Sequence, residues 1–521
     1  MRLLPGRVVP SSTLIGEVKR EVLHEQNSEL ERLRTELASL RSLQENHVKG
    51  LAQRLIQAWL TPSEGRQKRK VFFDDPVWGH NSVDEELSPL FFHPLIQRLN
   101  HVKQLSFAYL TFPNATHSRL AHSLGTCRNL EASLTTMFRN NVLYTSVGRE
   151  PILLDPQIRR ELIIKAKTAA LLHDVGHAPF GHALDKLIGY FDSNNPLAHP
   201  DKHYSKLYLE QHLKAHLPRM VNAENLSTIL SQDRIDLPEW DNLIADLLDS
   251  SIDVDRMDFL VRDAHMTGLS MGVTSVEALI ERMCPFRDGD QIFLTFEDSC
   301  LPYIDDFLLA REKMYAYCYE HPSKLAAERI FTRLVESLIR EHGLRMDVVM
   351  LLTDEQILAL LGLAAIGSER DAGLLDALLQ NIEFICVDEI DLTVNSPQIT
   401  QWTRARDSAR MRRWAYVDSP NTWENNIANA AGLGESNNWR ILVAVPDQKT
   451  GVPNDVEVSI LKREGSGYQT RPLFDVSEKI KKQLKDEYIP RGKIRVFADS
   501  RLAGTQQLEI ERASKELLRN G

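Results

Sequence analysis

Leu23, Leu30, Leu33, Leu37 and Leu40 fall on one a/d seam in a stretch otherwise rich in Glu, Arg and Lys, so Leu14 to Leu60 reads as one long helix. Its apolar stripe is narrow, which predicts a coiled-coil oligomerisation arm; the plainer alternative is a helix folded back on its own domain. The linker TPSEGRQKRK follows, where Pro and Gly stop the helix and the basic run reads as solvated. From Val71 to Gly343 apolar residues recur at three- and four-residue spacing almost throughout, predicting helices joined by loops at FPNATHS, SNNPLAHPD and CPFRDGDQ. A further helical stretch, Asp347 to Glu383, leads into WRILVAVP, VEVSILKRE and KIRVFAD, which predict strands, and SEKIKKQLKDEY, which predicts a helix. The expected fold class is mainly α: a helical core, an N-terminal coiled-coil helix and a small C-terminal α+β lobe, divided at 1–65, 66–345 and 346–521.

Composition narrows the function. A chain of 521 residues with 43% hydrophobic content can bury a large core, and its net charge of -10 argues against a surface built to wrap nucleic acid. A local cationic pocket for an anionic substrate stays open. Cys127, Cys284, Cys300, Cys318 and Cys386 are scattered without a CxxC pair, so neither a disulfide framework nor a thiolate zinc site is expected. The N-terminal MRLLPGRVVPSS has no apolar core of a signal peptide, and no window approaches the roughly 18 apolar residues of a membrane span. A cytoplasmic protein is expected.

The chemistry concentrates in four segments. THSRLAHSLGT carries His117 and His122; AALLHDVGHAPFGHALD carries His173, Asp174, His177, His182 and Asp185; HPDKHYSKLYLEQHL carries His203; SSIDVDRMDFLVRDAH carries Asp253, Asp255, Asp258 and Asp263. Buried imidazoles and carboxylates cost several kcal/mol unless paired or metal-bound, roughly 2 to 7 for an unpaired polar group. Singly, His122 reads as a helix cap, His173 as a hydrogen-bonded core histidine and Asp255 as a salt-bridged helix acid. The adjacent His173-Asp174 pair between apolar flanks is far more specific, and His122, His173, Asp174 and Asp255 together suit a divalent ion such as Mn, Fe, Mg, Zn or Co.

These residues resemble the HD-domain superfamily of metal-dependent phosphohydrolases, whose H...HD...D pattern maps onto His122, His173-Asp174 and Asp255. Within it the chain is most similar to the deoxynucleoside triphosphate triphosphohydrolases, through DPVWGH, QRLNHVKQL, FPNATHSRLAHSLGT, LLHDVGHAPFGHALD, IDVDRMDFLVRDAH and YCYEHP, across about Val71 to Arg340. The resemblance implies an HD-domain helical core and hydrolysis of a dNTP at the α-phosphate to a deoxynucleoside and triphosphate. It implies His177 and His203 as reacting imidazoles, Asp185 as the carboxylate orienting His177, and Arg119 and Arg256 as phosphate neutralisers, with Lys313 or Lys324 as further candidates. It places Gln104, Leu105, His182, Phe259, Asp263 and Tyr319 at the substrate. Arg256 and Phe259 stand where relatives often have lysine and tyrosine, and VFFDDPVWGH has Asp74 where an amide is usual. A nucleotide activator and a homo-oligomer of two or more copies are also implied, without need of membrane or nucleic acid. Rival readings are an HD phosphohydrolase acting on another nucleotide or a nucleic-acid end, and a non-catalytic nucleotide sensor or scaffold.

Overall fold

The computed structural model describes residues 11–62, 68–191, 200–231, 237–270, 275–392, 396–407, 414–445, 456–486 and 493–520. Helices dominate, as the apolar spacing predicts, and one apolar cluster runs from Val48 to Phe497. A second cluster, including Ile390, Trp402, Trp423, Val443 and Val496, fills the C-terminal region. Glu424, fully buried, ties this region to the long helix Pro322–His342 by accepting hydrogen bonds from Val443 N and from Arg329 Nε, each at 2.8 Å.

The first helix, Ser11–Leu60, is as long as the seam suggests. Its C-terminal third is packed on its own chain: Val48, Ala52 and Ile56 are buried, Gln44 Nε2 donates to Leu363 O at 2.9 Å, and Trp59 Nε1 donates to Gln356 Oε1 at 3.1 Å. The plainer alternative therefore describes this part. Leu40 is 60% exposed, and the side chains of Leu23, Leu30, Leu33 and Leu37 lie outside the described residues, so the coiled-coil arm stays a proposal for that half.

Strands are more numerous than expected and more dispersed. Val71–Asp75 and Gly79–Val83 form a hairpin where helix was expected. Asp75 Oδ1 accepts from Val77 N and Trp78 N at 2.8 and 2.9 Å, and Gly79, at φ +70°, completes the turn. CPFRDGDQ, expected as a loop, is mostly strand: Met283–Asp288 pairs with Gln291–Glu297, and only Gly289, at φ +59°, and Asp290 form the tip. The C-terminal strands are divided between two sheets. Ser459–Glu464 and Gly467–Pro472 extend a six-stranded sheet beside Gln291–Glu297, whereas Ile441–Ala444 and Lys493–Asp499 pair in a three-stranded sheet with Phe384–Asp391. Ile441–Ala444, Ser459–Glu464 and Lys493–Asp499 lie in the segments expected to be strands, whereas Phe384–Asp391 and Gly467–Pro472 are additional; which neighbour each joins depends on edges far away in the chain.

His93 lies in a buried corner with its ring 4.9 Å from that of His216. Burial, with the neighbouring His216 and His212, pulls its pKa down to about 4. The unfolded chain then binds a proton that the folded chain refuses as pH falls from 6.5 toward about 4, so stability is lost across that window, by roughly 1 to 3 kcal/mol. Urea unfolding at pH 7 and pH 5 should show it. His93→Asn should flatten the slope; an unchanged slope would reject this assignment.

Candidate metal centre

Four segments deliver the polar groups. His122 lies near the start of the helix Arg119–Asn140, capped by Ser118, whose Oγ accepts from Ala121 N. Asp255 and Asp258 sit three residues apart in the helix Val254–Thr267, capped by Asp253, which accepts from Arg256 N at 2.7 Å. His173 and Asp174 stand just past the end of the helix Pro156–Leu172, in a turn. His177 was expected one helical turn after His173, on the same face; the helix has already stopped there. Gly176 is forced at that turn because a Cβ would meet Asp201 O at 2.1 Å and Ser205 N at 2.3 Å on the helix Pro200–Tyr208. Buried Arg98 holds the turn from behind, donating to Val175 O at 3.0 Å and His177 O at 2.7 Å.

The ligand atoms of His122, His173 and Asp174 lie within 4.8 Å of one another. His122 Nε2 is 3.2 Å from His173 Nε2 and 3.8 Å from Asp174 Oδ2, and Asp255 Oδ1 is 2.8 Å from His122 Nε2 and 3.4 Å from His173 Nε2. Four donors from three parts of the chain thus meet as the sequence anticipates. Their tautomers suit a cation. His122 Nδ1 donates to Asp258 Oδ2 at 2.7 Å and His173 Nδ1 to Ala170 O at 2.7 Å, which leaves both Nε2 lone pairs facing one point. Two lone pairs and two carboxylates so close repel unless a positive charge lies among them, so the donor set fits a divalent ion. Protonation otherwise supplies that charge: burial opposes it, but the bonds to Asp255 and Asp258 prevail and hold His122 up to about 10.

The other expected residues are placed as follows. Arg119 is buried and donates from Nη1 to Asp174 Oδ2 at 2.7 Å, so it holds that carboxylate directly. Gly181, at φ +57°, is needed there, because a Cβ would come within 2.4 Å of Arg119 Nη2. His177 Nδ1 lies 3.2 Å from Asp174 Oδ1, and its buried Nε2 has no hydrogen-bond partner among the described residues. Asp185 does not orient His177. Its Oδ2 is 2.8 Å from Nδ1 of His182, which is 64% exposed, while Asp201 Oδ2 lies 3.9 Å from His177 Nε2. His203 touches the ring of Tyr204, and no contact among the described residues joins it to the four donors.

Arg256 turns away from its expected phosphate role and binds Asp253 and Ser250 O. Lys324 is engaged by Tyr319 O and Glu328, and Lys313 is exposed. On the expected sugar side, Tyr319 donates to Asp263 Oδ2 at 2.7 Å and His117 Nε2 to Asp263 Oδ1 at 2.8 Å. The Phe259 ring sits 6.3 Å from the His122 ring and 6.2 Å from the Tyr319 ring, joining the two groups of residues. Leu105 is buried, and Gln104, bonded through its N to His117 O, leaves its Oε1 unpaired among the described residues.

Over 295 residues the chain is 29% identical to an uncharacterized protein of Mycoplasma genitalium, covering 53% of this chain and 63% of the relative. It is 26% identical over 339 residues to the deoxynucleoside triphosphate triphosphohydrolase SAMHD1 of Danio rerio, covering 58% of this chain and 48% of that protein. It is also 27% identical over 281 residues to a putative HD domain-containing protein of Acanthamoeba polyphaga mimivirus, covering 51% of this chain and 58% of that protein. Its match spans less than two thirds of each relative's length. A solved phosphohydrolase from Bacteroides thetaiotaomicron has a fold similar to that of this chain, with a TM-score of 0.60 over 83% of this chain and 100% of its own, at 19% identity. No family model matches the chain. Among the described residues no helix is long and apolar enough to cross a membrane.

What sequence reasoning passed over is the layer behind the HD donors. Asp258, Arg262, Trp78, Asp75 and Gly125 all contribute to it, and only Asp258 stood out beforehand, without a role.

Proposed function

We propose that the protein is a metal-dependent dNTP triphosphohydrolase, cleaving at the α-phosphorus to a deoxynucleoside and intact triphosphate. The observation that carries this reading is the convergence of two imidazole lone pairs and two carboxylates beside buried polar atoms that lack partners among the described residues. His122, His173, Asp174 and Asp255 would hold the ion, which when bound polarises a phosphate oxygen and lowers the pKa of water. Naming of the relative from Danio rerio supports the substrate class.

The chain's own groups do the rest. Asp258 and Ala170 O fix the ligand tautomers, and Arg119 anchors Asp174. Burial and the nearby Arg119 charge lower the pKa of His177, so its imidazole is neutral near pH 7. With Nδ1 turned to Asp174, its Nε2 offers a lone pair for a proton of the attacking water. Asp174, at Nδ1, takes the orienting place expected of Asp185, and His203, on the helix Pro200–Tyr208, is proposed as the second imidazole. Arg119 Nε, His117 Nδ1 and Gln104 Oε1, buried without partners among the described residues, are the groups a polar substrate would satisfy. The Tyr319 and Leu105 wall would exclude a 2′-hydroxyl.

Incubation with each dNTP and Mn or Mg tests this reading. Equimolar deoxynucleoside and triphosphate are expected, with the matching rNTP turned over about 100-fold less efficiently. Pyrophosphate or orthophosphate would instead indicate another nucleotide hydrolase, ladders from DNA a nuclease, and no turnover a sensor. Cross-activation between dNTPs, read in the same assay, would support the nucleotide activator and the oligomer.

A further inference from the structure

The strongest unassigned feature is a closed buried network behind the metal centre. Asp258 is fully buried and receives four donors: His122 Nδ1 at 2.7 Å, Trp78 Nε1 at 2.5 Å, and Arg262 Nε and Nη2, both at 2.9 Å. Arg262 Nη1 reaches on to Asp75 Oδ2 at 2.8 Å. Asp75 in turn caps the hairpin turn through Val77 N and Trp78 N, and so aims the indole. The Arg128 guanidinium lies 4.7 Å from the Trp78 ring centre and holds it from the side. Gly125 leaves the room Asp258 occupies, since a Cβ there would be 1.7 Å from Asp258 Oδ1.

We infer that Trp78 and Arg262 are positioning residues for the metal centre, acting through Asp258 on His122, and that the hairpin from Val71 to Val83 thereby sets metal affinity. The physical reason is the shape of the network. A carboxylate can rotate and trade partners, and an imidazole can rotate or change tautomer. Donors on both oxygens of Asp258 remove its freedom, so Oδ2 stays beneath His122 Nδ1 and the Nε2 lone pair stays aimed at the other donors. Arg262 also balances the carboxylate's charge. Trp78 comes from a segment 180 residues away from Asp258 and adds a donor without adding charge.

This inference rests on the metal-site reading above but not on the substrate, and its test uses no nucleotide. Mn binding to the full chain is titrated by electron paramagnetic resonance, and the visible spectrum of the Co-loaded protein is recorded. Asp258→Asn and Trp78→Phe are expected to weaken Mn binding, Asp258→Asn by roughly 10- to 100-fold and Trp78→Phe by less, and to alter the Co spectrum. Trp59→Phe, which also loses an indole hydrogen bond but far from the centre, is expected to bind Mn as the wild type does. Circular dichroism melts separate lost affinity from lost folding, with Trp78→Phe the milder change. Wild-type affinity and spectrum in both Trp78→Phe and Asp258→Asn would overturn the inference, as would a wild type that binds no metal. Tight Mn binding without dNTP cleavage would reject the proposed activity and leave the inference standing.

Discussion

Asp174→Ala is expected to abolish hydrolysis and Mn binding together. The carboxylate is one of the four converging donors, and its Oδ2 also accepts from Arg119 Nη1. Loss of ion-assisted polarisation amounts to several kcal/mol, on the order of 10³-fold in rate. Removing the carboxylate also strands a buried guanidinium, which by itself costs about 3 to 5 kcal/mol of stability. Asp174→Asn, which keeps size and one acceptor, should fold better while remaining as inactive. Steady-state rates, Mn titration and thermal melts on the same preparations check these expectations, and a chelator should impose the same loss of activity on the wild type. Residual activity within tenfold of wild type in Asp174→Ala would remove Asp174 from the centre.

Gly125→Ala is the other large effect, and it changes one methyl group. The new Cβ would lie 1.7 Å from Asp258 Oδ1 and 2.5 Å from Arg262 Nη2, so the carboxylate and guanidinium must move. Both are buried and paired to each other, and breaking such a pair costs about 3 to 5 kcal/mol. A large fall in Tm and in Mn affinity is expected. Gly50→Ala gives the contrast: it lies within the helix Ser11–Leu60 with nothing within 4 Å of its Cβ, so alanine should stabilise by up to about 1 kcal/mol. Equal melts for Gly125→Ala and the wild type would mean that the close approach of Asp258 is not required.

Periodicity and residue type, read locally, determined the helical class and pointed to the four proposed metal donors. Helices announce themselves through neighbours three and four residues apart, and His173-Asp174 between apolar flanks is a conspicuous anomaly in such a pattern. Partner choice was decided only in three dimensions. Asp185 looked like the mate of His177 because it is close in sequence, yet the turn after Leu172 gives His177 Nδ1 to Asp174 and leaves Asp185 to His182. Arg256 looked free for phosphate until the helix cap Asp253 claimed it. The strands in WRILVAVP, VEVSILKRE and KIRVFAD are legible one by one, but they are sorted into two sheets by edges contributed from Gln291–Glu297 and from Phe384–Asp391, itself a strand without a sequence signal read beforehand. Trp78 and Asp258 carry no mutual signal in the chain, because a hydrogen bond depends on distance and angle in space and not on separation along the backbone.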